Sequence, residues 1–210
     1  MVLKHGDKLL VTGDSVTDAG RFSDPEGLGF GYVRMLRDML WARHPERRIE
    51  VLNRGFAGST VHDLAERWAD EILVEKPQWL CICIGVNDAW RQAANPRRPL
   101  DEAVAEFCTV YTRLIQRARE ACAPKLILCE PTPAGENRDA AHYGVALRYC
   151  ECVQTLAAKH QALLAPMNKA FWSAIDSDPM RSWTNDGIHP LSAGHMLLAL
   201  TLYDALDSTG

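Results

Sequence analysis

The chain has 210 residues, of which 47% are hydrophobic and 24% charged, with a formal net charge of -4 and a pI near 6.0. This length suits a single domain over residues 1–210 with one sizeable core, and the composition is that of an ordinary soluble globular protein. The weakly acidic balance provides no overall positive field. It therefore disfavours nucleic acids and anionic membranes as partners.

The N-terminal sequence contains Lys4 followed by a short apolar-rich stretch, Leu9–Gly13, which is too short for the apolar region of a signal peptide. No later segment reaches the roughly 18 consecutive apolar residues that a membrane span requires. We therefore expect a soluble, cytoplasmic protein that does not enter a membrane. Nothing in the composition selects for or against a homo-oligomer.

The cysteines predict neither a disulfide framework nor a metal site. There are 7 of them, an odd number, and Cys81 and Cys83 would face the same side of one strand, which is a poor arrangement for pairing with each other. We expect reduced, buried thiols. No two cysteines have Cys-x-x-Cys spacing, and Cys150 and Cys152 have no nearby Cys or His pair to complete a tetrahedral site, so no metal is predicted.

Short apolar runs alternate with longer segments of helical period along the chain, which is the pattern of an α/β protein with a parallel sheet and helices on both faces. The predicted strands are Lys8–Thr12, Ile49–Asn53, Trp79–Ile84, Lys125–Cys129 and Ala162–Ala165. The predicted helices are Gly31–Arg43, Val61–Glu71, Leu100–Ala121, Ala140–Lys159 and Ser192–Leu206. Two loop-like stretches, Ala93–Pro99 and Pro131–Asp139, are expected directly after the third and fourth strands.

Ligands of open α/β sheets bind at the carboxyl ends of the strands, and four polar segments are expected there. Gly13–Ser15, Asn53–Thr60 and Gly85–Asp88 follow the first three strands, and Trp183–Pro190 lies between the last strand and the final helix. Each segment alone has a purely structural interpretation. The first two could cap helices, the third could form an Asx turn, and the fourth could be a solvated turn.

Together, the four segments contain the groups that acyl transfer needs. A serine hydroxyl is a weak nucleophile that needs a base, the base needs a group that orients it, and the developing oxyanion needs fixed donors. Ser15 can be the nucleophile and His189 the base, with Asp186 three residues away to orient the imidazole. The main-chain N–H groups of Ser15 and Gly58 and the side-chain amide of Asn87 can donate to the oxyanion.

These motifs resemble those of the SGNH hydrolase superfamily, also called the GDSL lipase/esterase family. The blocks GDSVTDAGR, NRGFAGSTVHDL, IGVNDAW and DGIHPLSAGH occur in the family's order over nearly the whole chain, with valine replacing the name-giving leucine at a packing position. The resemblance implies a flavodoxin-like three-layer α/β/α sandwich with a five-stranded parallel sheet. It implies a catalytic triad of Ser15, Asp186 and His189 and an oxyanion hole of Ser15, Gly58 and Asn87. Gly58 is preferred to Gly55 because it lies further along the loop, within the A-G-S-T stretch.

The predicted function is hydrolysis of a small-molecule carboxylic ester through an acyl-enzyme, with no metal or organic cofactor. The absence of a long lid insertion favours a small acyl group, and the family resemblance makes acetyl esters of carbohydrates the leading substrate class. A lysophospholipase or thioesterase of the same family is the alternative. A sugar- or nucleotide-binding module without chemistry is disfavoured because all three residues of the predicted triad are present.

Other polar and aromatic residues near the four segments receive smaller roles. Asp14 is interpreted as a turn stabiliser, because adjacent side chains point apart in extended backbone, and Asp88 as a hydrogen-bonding partner for the loops. Trp90 and Trp183 could contact substrate or simply pack, and His195 is expected to pack or to lie at the surface. We expect the remaining histidines at the surface, namely His5, His44, His62, His142 and His160. We assign no role to four loop arginines, namely Arg21, Arg91, Arg97 and Arg98.

Overall fold

The computed structural model describes residues 1–207, and its centre is a five-stranded, all-parallel sheet. Its strands are β1 (Lys8–Gly13), β2 (Glu50–Gly55), β3 (Trp79–Cys83), β4 (Lys125–Cys129) and β5 (Leu163–Ala165). All the predicted strands form, each ending within two residues of its predicted bounds. The short apolar runs between turn signals were therefore correctly interpreted as buried strands.

The α-helices of the described chain flank this sheet. They are α1 (Ser15–Asp18), α2 (Tyr32–Arg43), α3 (Val61–Glu66), α4 (Val86–Ala94), α5 (Leu100–Cys122), α6 (Ala141–Lys159), α7 (Met167–Ser177) and α8 (Ser192–Asp207). Within residues 1–207, no helix combines the length and the apolar character needed to cross a membrane. The predicted helix over residues 61–71 is divided, because a π-type turn at Trp68–Ile72 follows α3.

Three helices were not predicted, and two of them change the connections to the site. The predicted loop Ala93–Pro99 does not follow β3 directly, because α4 occupies the intervening residues and includes Ala93 and Ala94. Likewise, α7 lies between β5 and the segment Trp183–Pro190, where no helix was predicted. α7 begins at Met167, with Pro166 as its N-cap residue.

The strand order is β2-β1-β3-β4-β5, which is the order of flavodoxin-like sheets. The chain leaves β1 to build β2 on one side and then returns to build β3 on the other. Gly13 at the end of β1 thus lies between Gly55 of β2 and Cys83 of β3. Such a reversal opens a crevice at the carboxyl ends of β1 and β3, where bound molecules are expected.

Helices cover both faces of the sheet, which confirms the three-layer α/β/α sandwich. Successive strand residues point to opposite faces. Leu9 and Val11 of β1 therefore pack with α2, α7 and α8, whereas Leu10 packs with α3, α5 and α6. With both faces buried, the functional groups can be reached only at the ends of the strands.

The cysteines differ in part from the expectation. Cys81 and Cys83 are buried on the same face of the sheet as predicted, and the sulfur of Cys81 lies 3.4 Å from that of Cys129. The expectation of reduced thiols is wrong for Cys108 and Cys152, which form a disulfide between α5 and α6. These two helices pack side by side, and helix packing across 44 residues of sequence separation was not visible in the sequence.

Candidate active site

Ser15 lies at the carboxyl end of β1, as predicted, and is the first residue of α1. The turn before it requires Gly13, because a Cβ at this position would lie 2.2 Å from the main-chain oxygen of Cys83 and 2.4 Å from the hydroxyl oxygen of Thr17. Only glycine therefore fits at position 13, where β1 lies close to β3. After this turn, Ser15 is half-buried at the edge of the sheet.

Asp14 stabilises this turn, which confirms its predicted role. Its side chain caps α1 and accepts a hydrogen bond of 3.0 Å from the main-chain N–H of Val16. The residue is only 2% exposed, and burial raises the pKa of its carboxyl group to about 7 in spite of that hydrogen bond. The carboxyl group is thus held close to the nucleophile but is used for the turn.

The loop after β2 presents a free main-chain N–H at Gly58. Ser59 donates to the carbonyl of Phe56 at 3.2 Å, and Gly58 has a φ of +77°, the value that a type II turn requires at its third residue. Gly58 is exposed, and its N–H has no hydrogen-bond partner among residues 1–207. By contrast, the N–H of Gly55 donates to the side chain of Asn53 at 2.8 Å, so it is already engaged.

Asn87 and Asp88 lie in the first turn of α4, where an Asx turn was the structural alternative. The side-chain amide of Asn87 donates to the carbonyl of Ser59 at 3.0 Å, which leaves its second hydrogen available. Both carboxylate oxygens of Asp88 lie 3.2 Å from the main-chain nitrogen of Val61. Burial raises the pKa of Asp88 to about 7. Asp88 therefore holds the loop, as predicted.

Asp186 and His189 share one tight loop before α8. One oxygen of Asp186 accepts from the main-chain N–H groups of Ile188 at 3.0 Å and His189 at 2.9 Å, and the other lies 2.7 Å from Nδ1 of His189. The main-chain N–H and then the side chain of His189 lower the pKa of Asp186 to about 2. Nε2 of His189 lies 2.9 Å from Oγ of Ser15. Three side chains separated by up to 174 residues therefore form one hydrogen-bonded row.

Glu136 supports the loop that carries Asp186 and was not identified from the sequence. Its Oε1 accepts from the main-chain N–H groups of Trp183 at 3.1 Å and Thr184 at 2.6 Å and from the hydroxyl of Thr184. Next to it, the N–H of Gly135 donates to the carbonyl of Gly187 at 2.6 Å. The predicted loop after β4 was a usable signal, since a carboxylate there lies at the same edge of the sheet.

Guanidinium groups hold the main chain of the segments around Ser15. Nε of Arg21 donates to the carbonyl of Gly55 at 2.6 Å, Nη2 of Arg67 to that of Gly13 at 2.9 Å, and Nη2 of Arg91 to that of Gly58 at 3.0 Å. Assigning no role to Arg21 and Arg91 was therefore wrong. The sequence could not show these contacts because a main-chain carbonyl leaves no residue-specific pattern.

The aromatic residues and remaining histidines near the site have mainly packing contacts. Trp90 stacks on His142 with ring centroids 4.2 Å apart, at the edge of a groove of about 570 Å³, and Trp183 packs against the core. Nδ1 of His195 accepts from the main-chain N–H of Tyr32 at 3.3 Å, and burial lowers the pKa of His195 to about 4, so it packs, which is one of the two positions expected for it. His160 is buried, so its expected surface position is wrong.

The fold and this row of side chains define a class of protein. The chain is a hydrolase built on a flavodoxin-like α/β/α sandwich, with its polar groups gathered at the carboxyl ends of β1 and β3.

The sequence model of the GDSL-like Lipase/Acylhydrolase family matches residues 11–197, and the chain belongs to that family. It is therefore a carboxylic ester hydrolase. Among its relatives is an acetylxylan esterase of Geobacillus stearothermophilus, 33% identical over 95% of this chain and 93% of the relative. Another is the mouse isoamyl acetate-hydrolyzing esterase 1 homolog, 29% identical over 95% of this chain and 81% of the relative.

Solved structures agree with this assignment. The crystal structure of Axe2, an acetylxylan esterase from Geobacillus stearothermophilus, has a TM-score of 0.87 and 31% sequence identity. The alignment covers 98% of this chain and 96% of that one. Variants of Axe2 in which a serine, an aspartate or a histidine is replaced by alanine are described as catalytic mutants.

Proposed function

We propose that Ser15, His189 and Asp186 form the catalytic triad of an acetyl ester hydrolase. The observation that carries this proposal is the imidazole of His189, which lies 2.9 Å from the hydroxyl of Ser15 on one side and 2.7 Å from the carboxylate of Asp186 on the other. Both contacts are within the range in which a base can take a proton from a nucleophile while a carboxylate fixes its tautomer. The catalytic serine, aspartate and histidine of Axe2 are the same three residue types.

The reaction follows from this geometry. Oγ of Ser15 attacks the acyl carbon while Nε2 of His189 takes the hydroxyl proton, and the carbonyl oxygen becomes an oxyanion. The tetrahedral intermediate then breaks its bond to the alcohol oxygen, which leaves with the proton from His189. A water molecule attacks the acyl-enzyme with His189 again as base, and the acid departs as Ser15 recovers its proton. Asp186 stays ionised throughout and stabilises the imidazolium.

Three donors can stabilise the oxyanion in this mechanism. We assign the main-chain N–H groups of Ser15 and Gly58 and the side-chain amide of Asn87, because each retains a hydrogen without a partner in residues 1–207. The loop that carries Gly58 and the helix that carries Asn87 are joined by the hydrogen bond from Asn87 to the carbonyl of Ser59. Donors fixed in this way need no reorganisation when charge develops.

We propose that the acyl group of the substrate is acetyl and that its alcohol is a carbohydrate. Both relatives take their names from acetate esters, although their alcohols differ, one being a polysaccharide and the other a branched alkyl alcohol. The acetyl group is thus common to both. The sugar alcohol is supported by the higher identity and fuller coverage of the acetylxylan esterase.

Initial hydrolysis rates on 4-nitrophenyl esters from acetyl to a long acyl chain test this proposal. The parent protein is compared with Ser15→Ala and with Ser23→Ala, an exposed serine outside the site. We expect the highest kcat/KM on acetate, near-complete loss in Ser15→Ala, and parent activity in Ser23→Ala. Release of acetate from acetylated xylo-oligosaccharides then tests the alcohol.

Other outcomes contradict specific parts of the proposal. Rates that rise with acyl length favour the lysophospholipase or thioesterase alternative. Equal activity of Ser15→Ala and the parent protein removes Ser15 from the mechanism.

A further inference from the structure

We propose that Arg91 is a positioning residue for the oxyanion hole, holding Gly58 at a fixed place relative to α4. This inference rests on the proposed function, in which the N–H of Gly58 and the amide of Asn87 donate to one oxyanion. Arg91 lies outside the triad and the oxyanion hole and is not proposed to touch the substrate or the reacting atoms.

Three side chains of α4 form hydrogen bonds with the main chain that follows β2. Asn87 donates to the carbonyl of Ser59, Asp88 accepts from the N–H of Val61, and Arg91 donates to the carbonyl of Gly58 at 3.0 Å. Asn87 and Arg91 are four residues apart, so they lie on the same face of the helix. One short helix therefore holds successive main-chain groups of the loop and also carries one of the proposed donors.

Gly58 has no side chain that could pack against its surroundings, so contacts to its main chain have to hold it in place. A Cβ built on Gly58 would meet no atom within 4 Å, and the residue is exposed. Glycine also tolerates both signs of φ, so its own backbone does not restrict it to the observed +77°. The hydrogen bond from Arg91 to its carbonyl oxygen thus joins Gly58 directly to α4.

The bond from Arg91 has the character of a charge-assisted hydrogen bond. Among residues 1–207, the guanidinium of Arg91 donates to the carbonyl of Gly58 and forms no ion pair, and its charge also acts on the carboxyl groups of Asp63 and Asp88. A charged donor forms a hydrogen bond about twice as strong as a neutral one. Because Arg91 is exposed, removing it opens no cavity in the core.

The test compares Arg91→Ala and Arg91→Lys with Arg97→Ala. Arg91 and Arg97 both line the groove beside Trp90, but the side chain of Arg97 makes no hydrogen bond or ion pair in the described part of the chain. Losing one oxyanion donor outright typically lowers kcat about 10²–10³-fold, so displacing one should lower it roughly tenfold in Arg91→Ala. We expect KM for 4-nitrophenyl acetate and the Tm to stay close to parent values. Arg91→Lys should recover part of kcat, because an ammonium can still donate to a carbonyl.

Inhibition by a trifluoromethyl ketone gives a readout that a purely structural role would not move. The ketone forms a hemiketal whose oxyanion occupies the hole, so its Ki should rise in Arg91→Ala by about the factor by which kcat/KM falls. Equal kinetics and Ki for Arg91→Ala and Arg97→Ala overturn the inference, as does a loss of activity matched by a fall in Tm. Ser15→Ala, measured in parallel, separates the two proposals: if it stays active, the proposed function itself fails.

Discussion

Replacing Glu136 by alanine should destabilise the protein and displace the loop that carries Asp186 and His189. One oxygen of this carboxylate accepts from two main-chain N–H groups and one hydroxyl, all on Trp183 and Thr184. Alanine removes the common acceptor of the three donors. The row of hydrogen bonds from Asp186 to Ser15 then loses the anchor at the start of its loop.

The magnitude follows from how far each donor is buried. Thr184 is 6% exposed, and a buried donor without a partner costs about 1–3 kcal/mol. Trp183 is half-buried, so its N–H can reach water and adds less. We therefore expect the free energy of unfolding to fall by about 2–4 kcal/mol in Glu136→Ala. Glutamine keeps an oxygen acceptor without the charge, and because charged hydrogen bonds are about twice as strong as neutral ones, Glu136→Gln should lose roughly half as much.

Urea unfolding and kcat on 4-nitrophenyl acetate measure the two effects, with Asp139→Ala as the matched control. Asp139 is an exposed carboxylate of the same loop, and its side chain has no hydrogen bond or ion pair among residues 1–207. A misplacement of about 1 Å in a catalytic group can cost about 10²-fold in rate, so kcat of Glu136→Ala should fall 10- to 100-fold. If Glu136→Ala matches Asp139→Ala in both measurements, Glu136 does not hold the loop that carries Asp186.

Two further substitutions test the turn before Ser15. Gly13→Ala places a Cβ 2.2 Å from the oxygen of Cys83 and should lower the free energy of unfolding by about 3 kcal/mol or more. Its control is Gly144→Ala, where α6 has open space and alanine should stabilise by about 0.5–1 kcal/mol; equal effects in urea unfolding would refute the steric argument. The pKa of Asp14 rises from 3.8 unfolded to about 7 folded, so the parent's stability relative to Asp14→Asn is greatest below pH 3.8 and is lost as pH rises through 7. Between pH 5 and pH 8, the free energy of unfolding of the parent should therefore fall relative to that of Asp14→Asn. A difference between the two free energies that does not change with pH would contradict the raised pKa.

Most of the sheet could be predicted from the sequence because its strands carry their own signal. β3 and β4 are apolar runs bounded by turn residues, and a strand buried on both faces must look that way. α4 and α7 were missed for the opposite reason. α4 begins directly after Gly85, where a polar segment suggested a turn, and α7 follows a three-residue strand with few sequence features.

The residues that meet at the site were recognised through their chemistry, and the residues that hold them were not. Ser15 and His189 occur in short motifs with a defined chemical use. Glu136 and Arg91 act on main-chain groups of other loops, and no pattern in the sequence links a side chain to a distant N–H or carbonyl. The single-domain organisation and the cytoplasmic location stay predictions.

The guanidinium contacts to main-chain carbonyls bear on how this enzyme could change over evolution. A carbonyl oxygen is present whatever side chain its residue carries. The hydrogen bonds from Arg21 to Gly55 and from Arg91 to Gly58 therefore do not depend on which side chains stand at the tip of the loop after β2. Phe56 and Ala57 form this tip, and both are exposed. Substitutions there can change the exposed surface of the loop while the contacts to its main chain stay in place. The conformation of this short loop and the chemistry of its exposed tip are in this way set at separate positions.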